Sequence, residues 1–122
     1  MTQEELKYRF KTFALAIIKL VDSMPKTIAG WAIAKQIIRS GTSPSANYRA
    51  ACLAKSDKDF LNKLKMVEEE MDETLHWLEL TRDSNLLPAT TINPLINEGS
   101  QLFSIIVASI KTTKAKLDKV VD

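Results

Sequence analysis

The side chains with the most chemistry to offer fall in one stretch, Glu68-Glu69-Glu70-Met71-Asp72-Glu73-Thr74-Leu75-His76. A glutamate three residues before a histidine, as in Glu73-x-x-His76, is the pair that di-metal helical bundles turn inward. Such a centre needs two of these pairs and two further carboxylates, and the chain has one histidine. Projection on a helix adds a second objection. With Lys58 at zero, the apolar seam centres near about 200°, Glu73 falls near about 60° and His76 near about 0°, so the imidazole points away from the seam. Glu68, Glu69 and Glu70 are consecutive, and consecutive helical residues do not face one another, so a solvated or ion-paired face is the simpler reading. One cysteine, Cys52, and one histidine are too few for a zinc site, and neither has a partner for nucleophilic catalysis. There is no glycine-rich phosphate loop. The expectation is a protein without catalytic residues, metal or cofactor.

Charge is the more informative pattern. Residues 26–65 carry Lys26, Lys35, Arg39, Arg49, Lys55, Lys58, Lys63 and Lys65 against only Asp57 and Asp59. Residues 66–83 reverse this, with Glu68, Glu69, Glu70, Asp72, Glu73, Glu79 and Asp83 against Arg82. A helix spanning both would be basic at its start and acidic at its end, against its own macrodipole. Helix stability does not select that order. Either the basic half faces phosphates, or it pairs with acids on neighbouring helices or subunits. Lys58, Lys65, Asp72 and Glu79 repeat every seven residues opposite the apolar seam, as a solvated face would. No aromatic-interleaved RNA-binding motif or zinc-finger spacing accompanies the cations.

The elements that must position these groups are legible. Thr2 and Glu5 have capping-box spacing, and Ser23-Met24-Pro25 supplies a stop, which predicts a first helix over about 3–22. Its predicted core face is Phe13, Ala14, Ile17, Ile18, Leu20 and Val21, an arc of roughly 160°. A second helix is expected over about 26–54, broken or kinked near Gly41-Thr42-Ser43-Pro44, where Ser43 and Pro44 have the spacing of a cap and restart. The third, about 57–82, begins at the Ser56/Asp59 cap, and Phe60, Leu64, Val67, Met71, Thr74 and Leu78 form its seam. The fourth, about 93–118, is expected to start at Asn93-Pro94 after the longest loop. In it, Leu102, Phe103, Ile105, Ile106, Val107 and Ile110 span an arc of about 200°, wider than the roughly 100° stripe one core needs. A second copy of the chain is the simplest cover for that surplus.

Length and composition agree with this scheme. A chain of 122 residues with 45% apolar and 26% charged residues is expected to form a single domain, 1–122, with one core. Three glycines and four prolines leave few turns, and the formal charge of +2 says little about partners. Cys52 is expected to be a small buried apolar residue in a reducing compartment. The acidic start Met1-Thr2-Gln3-Glu4-Glu5 is unlike a signal peptide. The longest apolar run, Phe13 to Ile18, is far short of the ~20 residues a membrane helix needs. The expected location is the cytoplasm, with no membrane contact.

The block from Gln36 to Ala51, reading Arg39-Ser40-Gly41-Thr42-Ser43 and then Asn47-Tyr48-Arg49-Ala50-Ala51, is not explained by composition. It is followed by Ser56-x-x-Asp59-Phe60 and by Glu70-x-x-Glu73-Thr74-x-x-Trp77-Leu78. Together these resemble the bacterial four helix bundle protein family, first noted as the product of reading frames in 23S rRNA intervening sequences. The resemblance covers nearly the whole chain and is most specific over 36–78. Its signature positions here are Arg39, Ser40, Ser43, Asn47, Ser56, Phe60, Glu70, Glu73, Thr74 and Trp77. Ala50 stands where the family usually has Glu, Pro44 replaces a common aliphatic, and His76 stands where Tyr is frequent.

The resemblance implies an all-α, antiparallel up-and-down four-helix bundle that assembles into a homo-oligomer, with rings of five subunits among relatives. A related branch acts with reverse transcriptases in diversity-generating retroelements, where a basic ring binds nucleic acid and the polymerase. RNA or DNA is therefore the expected ligand and a reverse transcriptase a further candidate partner. The candidate nucleic-acid-binding residues are Lys35, Arg39, Arg49, Lys55, Lys58, Lys63 and Lys65. The signature positions are expected to be structural, with Arg39 ion-pairing with helix 3. The competing expectation is a protein-only oligomeric scaffold.

Overall fold

A computed structural model describes residues 1–121, and side chains through residue 119. Its four helices are α1 (Gln3–Asp22), α2 (Ile28–Cys52), α3 (Asp57–Asp83) and α4 (Ala89–Val121), with no strand among the described residues. The fold is all-α, and the packing is that of a bundle. α2 lies along α3, α3 along α4 and α1 along α2, while α1 and α4 touch least.

Each start has a local cause. The Thr2 hydroxyl accepts from the Glu5 N–H at 3.1 Å, Thr27 from Gly30 at 3.1 Å and Ser56 from Asp59 at 3.1 Å, each satisfying an orphan donor of a first turn. α2 therefore begins after Thr27, two residues beyond the start expected at Lys26. α3 ends in a Schellman motif: Asn85 adopts φ 60°, Leu86 N–H donates to the Thr81 carbonyl and Asn85 N–H to that of Arg82.

The caps expected before two prolines do not form. α2 runs unbroken through Pro44. Ser43 does not cap a restart; its hydroxyl accepts from the Asn47 side-chain amide at 2.9 Å. α4 begins at Ala89 rather than Asn93, because the Pro88 carbonyl accepts from the Thr91 and Ile92 N–H groups and so starts the helix early. Asn93 is no cap either: its side-chain oxygen accepts from Arg82 at 3.1 Å. Pro94 lies on an exposed face inside the first two turns of α4, where one missing donor is tolerated.

The core gathers Phe10, Phe13 and Ile17 of α1, Ile37 and Tyr48 of α2, Leu64, Val67, Met71 and Leu78 of α3, and Leu102, Ile106 and Ile110 of α4. The α3 seam is buried as its spacing predicts, except for Phe60, which is half-buried. Three buried hydroxyls, of Thr74, Thr81 and Thr113, donate to the carbonyl four residues earlier at 2.7–2.8 Å. Gly41 lets α1 and α2 meet closely: a Cβ there would lie 2.8 Å from Ile17 Cγ2.

Two expectations about apolar surface change. In the wide α4 arc, Leu102, Ile106 and Ile110 are buried and Phe103 and Ile105 pack half-buried against the core, leaving only Val107 largely out. Ile18, expected in the core, faces outward on α1. Exposed apolar side chains lie instead on α1 (Leu15, Ile18), on α2 (Trp31, Ile38) and, more sparsely, on α3 (Met66, Leu80).

Candidate nucleic-acid interface

Arg39 of α2 does not stand free to meet a phosphate. Its guanidinium bonds to Glu70 at 3.2 Å and to Glu73 on α3, and to Gln36 at 3.3 Å one turn earlier. Glu73 in turn accepts from the Trp77 indole N–H at 2.9 Å, and the His76 ring meets Trp77 edge-on at 5.0 Å between centroids. The signature residues Arg39, Glu70, Glu73, Thr74 and Trp77 thus form one seam between α2 and α3, closed although Ala50 supplies no acid. The Glu73/His76 pair belongs to this seam. Among the described residues no group of three or more His, Cys, Asp or Glu side chains is placed to hold a metal ion.

The other basic candidates separate by location. Lys35 lies in an apolar groove of about 710 Å³ on the outer side of α2, beside Trp31 and Ile38. Lys63 and Lys65 lie along α3. Arg49, Lys55 and Lys58 lie where α2 ends and α3 begins. There the fold adds cations that the linear charge pattern does not mark. Lys116 of α4 shares a groove of about 520 Å³ with Gln3, Cys52, Lys55, Ser56, Phe60 and one carboxylate, Asp57. Lys7 and Lys11 of α1 share a groove of about 330 Å³ with Tyr8, Ser45 and Arg49.

One end of the molecule therefore collects the start of α1, the end of α2, the start of α3 and the last third of α4. Lys111, Lys114 and Lys119 of α4 are exposed in the same third. Among the described residues, Lys11, Arg49, Lys55, Lys58 and Lys116 lie in no ion pair, whereas Lys7 is held by Glu4 at 2.6 Å. The acidic half of α3 supplies the counter-charges for Arg39 and lies away from this end. Unpaired cations from four helices, each free to reorient, form a surface that attracts polyanions. The charge pattern of residues 26–83 does not include Lys7, Lys11 and Lys116; only the helix packing brings them to Arg49 and Lys55.

At this end Ser56 caps α3, and Phe60 lines a groove with Ile105, Ser109, Thr112 and Lys116. Cys52 is half-buried. Its thiol faces the Tyr48 hydroxyl, which burial and then the thiol push above the ordinary tyrosine value. No helix among the described residues is long and apolar enough to cross a membrane.

The description 23S rRNA-intervening sequence protein belongs to a family whose sequence model matches residues 5–108. A solved structure, of a protein with unknown function from the S23 ribosomal protein family of Bacteroides thetaiotaomicron, is similar at 32% identity and a TM-score of 0.84, covering 91% of this chain and 99% of that one. No curated protein matches the chain.

Proposed function

Since the chain belongs to the 23S rRNA-intervening sequence protein family, we propose that it is a non-enzymatic bundle that assembles with copies of itself into a ring and binds RNA or DNA through its basic end. The observation that carries this reading is the collection of unpaired Lys11, Arg49, Lys55, Lys58 and Lys116 from four helices at one end. Isolated surface cations contribute little each, but a ring multiplies a cluster of them into an extended field, and each neutralised phosphate releases counterions. The family's association with rRNA intervening sequences points the same way. The uncovered apolar residues of α1 and α2 supply a face for the neighbouring subunit.

Arg39 leaves the binding surface on this reading and becomes a clasp between α2 and α3, and Lys35 belongs with the apolar groove rather than with the phosphate surface. Gel-shift titration of the intact protein against RNA at several salt concentrations tests the proposal: affinity that falls steeply with salt supports it, and absent or salt-independent binding contradicts it.

A second reading, a protein-only ring scaffold, is favoured by the apolar groove at Val21, Trp31 and Ile38, which suits an apolar helix better than a nucleic acid. A partner protein such as a reverse transcriptase would then occupy that groove, and the basic end would bind nothing.

A further inference from the structure

The chain has two tyrosines, and the fold treats them oppositely. Tyr48 is in the core against Phe10, with ring centroids 5.3 Å apart. Tyr8 is 72% exposed, although it lies on the same helix as the buried Leu6, Phe10 and Phe13. Its ring lines the groove of about 330 Å³ between α1 and α2, with Glu4, Lys7, Lys11, Ser45 and Arg49 as the other walls. That volume is at the small end of ligand-sized clefts. Glu4 is taken up by Lys7 at 2.6 Å, so the cations left to meet a ligand are Lys11 and Arg49, one from each wall.

An exposed aromatic face flanked by unpaired cations is the arrangement that single strands use: bases stack on the ring while the backbone follows the positive side chains. A duplex cannot use the ring, because its base faces are already stacked on one another. We propose that the α1–α2 groove binds an unpaired segment of RNA or DNA, one base lying on Tyr8 and the adjoining phosphates on Lys11 and Arg49. This rests on the reading of the basic end as a phosphate-binding surface and adds to it a preference for single over double strands.

The test uses the full-length protein, a labelled oligouridine and an RNA duplex of the same length, at one moderate salt concentration. The single strand binds more tightly than the duplex. Tyr8→Ala, at an exposed position that leaves the core intact, weakens the single strand by roughly five- to hundred-fold, the range that stacking of a base supplies. Tyr8→Phe, which keeps the ring, stays within about twofold of wild type, since stacking needs the ring and not the hydroxyl. Binding of the duplex is unchanged in both variants. Equal or tighter binding of duplex, or an unaltered single-strand affinity in Tyr8→Ala, overturns this inference while leaving the basic end as a nucleic-acid surface. Failure of both probes to bind overturns the inference and the basic-end reading together.

Discussion

Arg39 on α2 and Glu73 on α3 are joined across the helix seam, and the same Glu73 carboxylate accepts from the Trp77 indole N–H. Arg39 is about half exposed, with side-chain exposure of 49%, so solvent screens the pairing and its worth is modest. Arg39→Ala is expected to lower the unfolding free energy by about 1 kcal/mol and to leave nucleic-acid affinity nearly unchanged. Lys55→Ala should do the reverse, leaving stability within about 0.5 kcal/mol and weakening binding. Denaturant unfolding and binding titrations of the two variants check the crossover.

Gly41 faces Ile17 with no room for a methyl group, since a Cβ would lie 2.8 and 2.9 Å from two Ile17 carbons. These atoms are buried and cannot swing clear. Gly41→Ala is expected to destabilise by up to about 2 kcal/mol, the usual cost of about 1–3 kcal/mol for overpacking a core less the roughly 1 kcal/mol that the better helix former returns. A fall in Tm of several degrees checks it; an unchanged or raised Tm would show that α1 can shift outward freely.

Much of this was legible before the structure, and the failures have identifiable causes. The α3 seam followed from the spacing of Leu64, Val67, Met71, Thr74 and Leu78, because a long amphipathic helix repeats its signal many times. The α4 start was misplaced because Asn93-Pro94 has the spacing of a cap, while the Pro88 carbonyl and the side chain of Arg82 take the partners that decide it. Ile18 reads as core by periodicity, yet it falls outside the arc that α1 buries against α2 and α4. The pairing of Arg39 with α3 is expected from its place among the signature residues, whereas nothing in the spacing of Arg49 places it in a groove with Lys7, Tyr8 and Lys11 of α1.

Tyr48 gives a pH signature. Burial, then the Cys52 thiol, raise its hydroxyl above the ordinary value of 10.0. The folded chain therefore holds a proton that the unfolded chain releases near pH 10, so this contribution to stability is present below about pH 10 and is lost as the pH rises further. Tyr48→Phe should show a shallower alkaline loss of stability than wild type, measured by denaturant midpoints from neutral pH upward. Parallel curves for the two proteins would contradict the assignment.

Assembly is expected to use the outer face of α1 and α2. Trp31 is 61% exposed, so Trp31→Glu leaves the monomer fold intact while placing a charge in the apolar face. Light scattering should find wild type as a multi-subunit particle and Trp31→Glu as a smaller species with unchanged helical content. A wild-type protein that stays monomeric at high concentration would contradict the ring.

The most direct test of the basic end is the salt slope of single-stranded RNA affinity for wild type and for the Lys55→Ala/Lys116→Ala double variant. Each phosphate contact contributes about −0.7 to the slope of log K against log salt. The prediction is a steep negative wild-type slope that becomes shallower by at least about one unit in the double variant, from two lost contacts of about 0.7 each. A wild-type slope near zero, or an identical slope in the variant, would contradict the account.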